Sequence, residues 1–158
     1  MDCIHRLEYC ESGLIPAIGS LCILCYDNES DHDARVQSMA VFPMLIRILQ
    51  KLRPNFARLN YEDNGLTKVT MVLVKALVSD NKVPDGDYVT KLVARIYTDL
   101  SYVMLDLHEK RCLHCKTVVE ILESALGTLH ILSRDDQNCE ILSQIPNFIS
   151  TLEIKHPD

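Results

Sequence analysis

Two pairs of cysteines carry CxxC spacing and are the most chemically suggestive feature of this 158-residue chain. Cys22 and Cys25 stand within Leu21-Cys22-Ile23-Leu24-Cys25, and Cys112 and Cys115 stand in a more polar run beside His108 and His114. Zinc needs four thiolates or imidazoles converging on one point. A redox pair needs a surrounding βαβ pattern, which neither pair has. Apolar neighbours make Cys22 and Cys25 small hydrophobes of a core helix. Cys112, His114 and Cys115 leave a small all-α regulatory protein with a Cys/His metal site as the alternative reading. The main expectation is free thiols, with no metal and no cofactor. Seven cysteines, an odd count, without a basic-then-apolar leader point to reduced thiols in the cytoplasm or nucleus.

Other groups could do chemistry but lack its context. Asp27, Glu29, Asp31 and Asp33 alternate like oxygen ligands. They lack the glycine and terminal glutamate of a calcium loop, so a solvated loop is expected. His108, Glu109 and Cys112 suggest a Cys–His pair, yet nothing signals an oxyanion site. His130 reads as a hydrogen-bonded structural histidine. GxGxxG, Walker A, GxSxG and HExxH patterns are all missing. No catalytic residue is therefore assigned, and the chain is expected not to be an enzyme. Basic residues gather in two groups, Lys51, Arg53 and Arg58, then Lys110, Arg111 and Lys116. Both fall near helix ends, where they complement the dipole. They could also select an acidic partner and speed its encounter.

Composition fits one globular domain over 1–158: 47% apolar, 24% charged, 6% aromatic, net charge −6. The acidic balance argues against nucleic acid, whose binding needs clustered Lys and Arg. No apolar run reaches the roughly 18 residues of a membrane span.

The elements that must position these groups are helical. From Val89, apolar residues recur at Leu92, Val93, Ile96, Leu100, Val103, Met104 and Leu107. That spacing predicts one amphipathic helix from near Asp85–Asp87 to about Glu109, with Arg95 off the apolar stripe. Leu66 to Val78 is apolar nearly all round and predicts a helix buried between neighbours, with Asn64 as its N-cap. Another helix is expected over Lys116 to Leu132, where Thr117 and Glu120 have capping-box spacing. Its interior Gly127 predicts close approach by an adjacent helix. Loops are expected at Asp27–Asp33, around Pro54, Asn55 and Asn60–Asn64, and at Ser79–Pro84.

An apolar–Pro–x–apolar pattern recurs at Ile15-Pro16, Phe42-Pro43 and Ile145-Pro146, with proline expected in the first turn of a helix each time. The copies are 27 and 103 residues apart, so the repeats are divergent. Ala125-Leu126-Gly127-Thr128-Leu129-His130-Ile131-Leu132-Ser133 resembles the "GTLHNLS" helix of armadillo repeats of the β-catenin class. Gln137 to Leu142, then Ile145-Pro146-Asn147-Phe148-Ile149, follows the family order of a short helix and an "IP-x-LV" helix. Ile131 stands where the family often has the Asn that holds a peptide backbone, and no Gly precedes Ile145.

The resemblance implies an all-α, armadillo-like right-handed superhelix of about three to four divergent repeats. A solenoid of this kind offers an extended surface rather than a deep pocket. The expected function is a non-catalytic scaffold that binds a partner peptide or helix. The candidate contact residues are Lys51, Arg53, Arg58, Arg95, Lys110, Arg111 and His130. Apolar ends would favour self-association, and the stripe Cys3, Ile4, Leu7 and Cys10 is a candidate interface.

Overall fold

Apolar residues at helical spacing lose their water only when helices are laid on one another, and every regular element in the described chain is a helix. The computed structural model describes residues 11–26, 32–52, 61–107 and 113–153. The helices are α1 (Glu11–Tyr26), α2 (His32–Ser38), α3 (Phe42–Leu52), α4 (Tyr61–Asp80), α5 (Gly86–Leu107), α6 (Leu113–Leu132), α7 (Asp136–Gln144) and α8 (Phe148–Leu152). A 3-10 turn, Met39–Val41, leads into α3. The protein is all-α among its described residues.

The long amphipathic stripe is α5. Val89, Leu92, Val93, Ile96, Leu100 and Met104 are buried, while Lys91 and Arg95 face solvent. The turn before it closes through Asp85, whose φ of 50° is left-handed. The Asp85 carbonyl accepts the Val89 N–H at 3.0 Å. Helix α4 is buried on nearly every side by Leu66, Met71, Leu73, Val74 and Leu77.

Two helix starts differ from expectation. Helix α4 begins at Tyr61, so Asn64 lies inside it and residues 61–64 are not loop. Helix α6 begins at Leu113, which puts Thr117 and Glu120 beyond any capping position. Packing along the apolar face decides these starts over cap chemistry. The three prolines are also not equivalent. Pro43 is in the first turn of α3, Pro16 is interior to α1, and Pro146 precedes α8. Pro146 and left-handed Asn147 (φ 66°) form a turn closed by the Phe148 N–H on the Ile145 carbonyl at 3.3 Å. A positive φ at the second central residue is the type II pattern, and Asn tolerates it.

Helices α1, α4 and α6 lie side by side and run the same way. Ile15 reaches Gly65, and the Cys22 thiol donates to the Val69 carbonyl, so α1 advances along α4 in the same direction. Lys68 pairs with Glu120, and the Lys75 stem lies over Gly127, so α4 and α6 do likewise. Both α4–α6 contacts join residues 52 apart (120 − 68 and 127 − 75). Three parallel helices in one row need return segments between them, and those segments form a second layer. Helices α2 and α3 pack on α4, α5 packs on α6, and α7 and α8 pack on α5. Although joined by a short turn, α4 and α5 barely touch; α6 lies between them.

The C-terminal helices are tied down by polar groups at their ends. Asp135 accepts the Gln137 N–H at 2.8 Å as the N-cap of α7. Buried Asn138 donates to the Leu132 carbonyl at 2.9 Å, joining the Asp135 N–H on an acceptor at the end of α6. Gln137 donates to Asp87 at 3.1 Å and links α7 to the start of α5. Tyr97 of α5 meets Phe148 of α8 edge to face, with ring centroids 6.1 Å apart. Burial there pushes the Tyr97 phenol above its ordinary pKa, with Ser101 opposing the shift.

Gly127 does mark a close approach, but by a side chain and not a helix backbone. An added Cβ would fall 2.7 Å from Lys75 Cε. That atom is near the end of a flexible, solvent-reaching chain and can move aside. Gly127→Ala is therefore expected to raise stability by about 0.5–1 kcal/mol through helix propensity. The midpoint of urea unfolding, at unchanged slope, measures it.

Candidate functional site

The middle helix of a row can show solvent only one narrow edge, and α4 does so. Apart from Gly65 and Val69, which lie on the flank toward α1, its accessible described positions are Lys68, Val72, Lys75 and Ser79, spaced i, i+4, i+7 and i+11. The neighbouring strip on α6 is Lys116, Glu120, Glu123, Gly127 and His130, at the same intervals. On α1 it is Pro16, Ser20 and Ile23. The α4 and α6 strips run in register through Lys68–Glu120 and Lys75–Gly127, and α1 is joined to α4 through Ile15–Gly65 and Cys22–Val69. They make one continuous face across three helices.

Charge on this face is mixed. Lys68 and Glu120 neutralise each other in a half-exposed pair, which contributes at most about 1 kcal/mol. Lys75 extends along the face over Gly127, where only a residue without a side chain lets it lie so close. Lys116 and Glu123 are exposed, and Ile23 and Val72 supply apolar contact. Mixed charge with apolar spots suits a polypeptide better than a phosphate backbone.

The first cysteine pair serves structure. Cys25 is buried, with its sulfur 3.8 Å from Ser38 Oγ. Burial, and secondarily the neighbouring Cys25, push the Cys22 thiol up to about 11. It stays protonated at neutral pH, and a thiol that keeps its proton is a poor nucleophile and a poor zinc ligand. No cluster of three metal-ligating side chains occurs among the described residues. Cys112, His114 and Cys115, on which the metal alternative stands, have side chains outside the described set, as do Cys3, Ile4, Leu7, Cys10, His108 and Glu109. Of the acidic run only Asp33 is described, exposed in the first turn of α2.

The expected contact residues are dispersed. Lys51 is exposed in the last turn of α3, Arg95 is exposed on α5, and His130 is exposed on α6. The first two belong to the second layer and only His130 belongs to the row. Arg53, Arg58, Lys110 and Arg111 lie outside the described residues. His130 is surface-exposed near the end of α6.

Sequence reasoning passed over Lys68 and Lys75. Their signal is present: between Gly65 and Ser79 the two lysines, seven apart, are the charged positions of an otherwise largely apolar stretch. Such a strip marks the edge that a packed helix keeps in water. No family model, no curated protein and no solved structure matches the chain.

Proposed function

We propose that this chain is an armadillo-like helical-repeat module, a non-catalytic scaffold that binds a partner peptide or helix along the α1–α4–α6 face. The observation that carries this reading is the parallel row, with successive members about 50 residues apart and return helices behind them. A row built this way is the arrangement repeat units adopt when each buries its apolar side on the next. The turn through Ile145, Pro146 and Asn147 into α8, and Phe42-Pro43 entering α3, fit the same scheme of units. About three to four units of a right-handed superhelix would account for the described chain. Reduced thiols suit a place in the cytoplasm or nucleus.

Recognition along such a face is by side chains. Ile131 is half-buried where the family often places a peptide-holding Asn, so the backbone of a ligand is not captured there. Lys75 is the group that reads a partner's carboxylate, and Ile23 and Val72 take its apolar residues.

Affinity purification with lysine-directed crosslinking tests the reading. Crosslinks from Lys68, Lys75 and Lys116 to a co-purified protein are expected. Lys75→Glu should lower recovery about tenfold, the equivalent of about 1.4 kcal/mol, with unchanged helical circular dichroism. Lys51→Glu, on the second layer, should leave recovery unchanged. Crosslinks confined to Lys51 and Lys91, with Lys75→Glu binding normally, would overturn it.

A further inference from the structure

We propose that a second copy of this chain continues the row head to tail, its α1 lying beside α6 of the first copy. The inference stands on the row alone and does not need the partner face.

The 52-residue shift that relates α4 to α6 identifies equivalent positions. Met71, Val74 and Val78 of α4 lie on the flank toward α6 and are buried. Their counterparts on α6 are Glu123, Leu126 and His130, and all three are exposed, Leu126 by 42%. The flank that α6 covers on α4 is thus uncovered on α6 itself. Behind that flank, α8 leaves Ile149 54% and Leu152 43% exposed. Phe148 starts α8 about two row spacings after Phe42 starts α3, and α3 packs on α4; by that correspondence a helix seated beside α6 would pack on α8 and cover Leu126 and the α8 side chains together.

At the opposite end of the row, α1 offers the element of the right kind. It is already a row helix, parallel to α4. Helical phase sets Ala17, Leu21 and Leu24 on the flank turned away from α4. Ala17 and Leu21 there are half-buried against the core, and Leu24 is 57% exposed. Seated against α6, α1 of the next copy buries Leu24 on Leu126, while Glu123 and His130 remain at the wet rim of the seam. The new contact continues the α1–α4–α6 packing with the same direction and the same layer behind it. An α1-to-α1 dimer would instead leave Leu126, Ile149 and Leu152 in water. A heterologous contact does not close on itself, so assemblies larger than dimers are expected.

Sedimentation of the full chain against concentration is the test, with Leu24→Asp and Leu126→Asp variants and with helical circular dichroism as the control for folding. The unmodified chain should gain mass with concentration, beyond two copies. Each variant alone should sediment as one copy at every concentration. Mixed in equal amounts, the variants should give a dimer and nothing larger, because one intact flank from each remains. Ile149→Asp should behave as Leu126→Asp does. A chain that stays a monomer, or a Leu126→Asp variant that still dimerises while Leu24→Asp does not, would overturn the proposal.

Discussion

Truncating Ile121 to Ala is expected to lower the free energy of unfolding by about 2–5 kcal/mol. Ile121 is fully buried on α6, the helix that packs on both α4 and α5. The row and the second layer meet along that helix. Against a total stability of about 5–15 kcal/mol for a domain, the loss is a large share. It should also be a loss of the whole fold. Helices α4 and α5 barely touch each other, so weakening α6 uncouples the N-terminal set from the C-terminal set. Urea unfolding followed by circular dichroism gives the magnitude. Native-state hydrogen exchange should show protection falling in α4 and α5 alike. Protection lost on one side only would contradict the bridging role of α6.

Phe148→Ala is expected to cost about 3–5 kcal/mol, but locally. Helix α8 is only five residues long, too short to stand without tertiary contacts. Buried Phe148 against Tyr97 supplies its principal anchor to α5. Once the ring is removed, α8 loses that anchor, and α7, which also packs on α5, loses its second support. Amide protection should then disappear over α7 and α8, while α1 to α4 exchange as before. A uniform fall across the chain would mean that the helices are coupled more widely than their contacts indicate.

The contrast between these two substitutions was only half legible in the sequence. Residues on a single amphipathic stripe declared themselves: Val89, Leu92, Val93, Ile96, Leu100 and Met104 are buried where a 3.6-residue period puts them, with Val103 half-buried. The all-round apolar character of Leu66 to Val78 foretold a helix enclosed by neighbours, and α4 is one. Cys25 likewise behaves as the small hydrophobe its surroundings suggest. Periodicity fixes which side of a helix is dry, yet it is silent about which other helix makes it so. The register of α4 on α6 rests on Lys68 with Glu120 and Lys75 with Gly127, pairs that nothing local connects. Glu120 in particular has the spacing of a capping residue after Thr117, and only packing shows it employed across the row. Pro16 misleads for a similar reason. Its neighbours copy those of Pro43, but it lies within a helix that aligns with α4 and not with α3. The candidate face was hidden because it belongs to three helices at once. Exposed lysines in one segment look like ordinary solvated charge until the neighbouring strips are laid beside them.

Among the described residues the principal contacts reach no further than from one helix to the third one beyond it, and this also governs how fast the chain can find its shape. Each successful encounter closes a modest loop, so little entropy is spent before the first attraction is felt, and ordering can spread outward from the centre of the molecule in small steps. Helices from either half can dock on α6 without waiting for the other half to arrive.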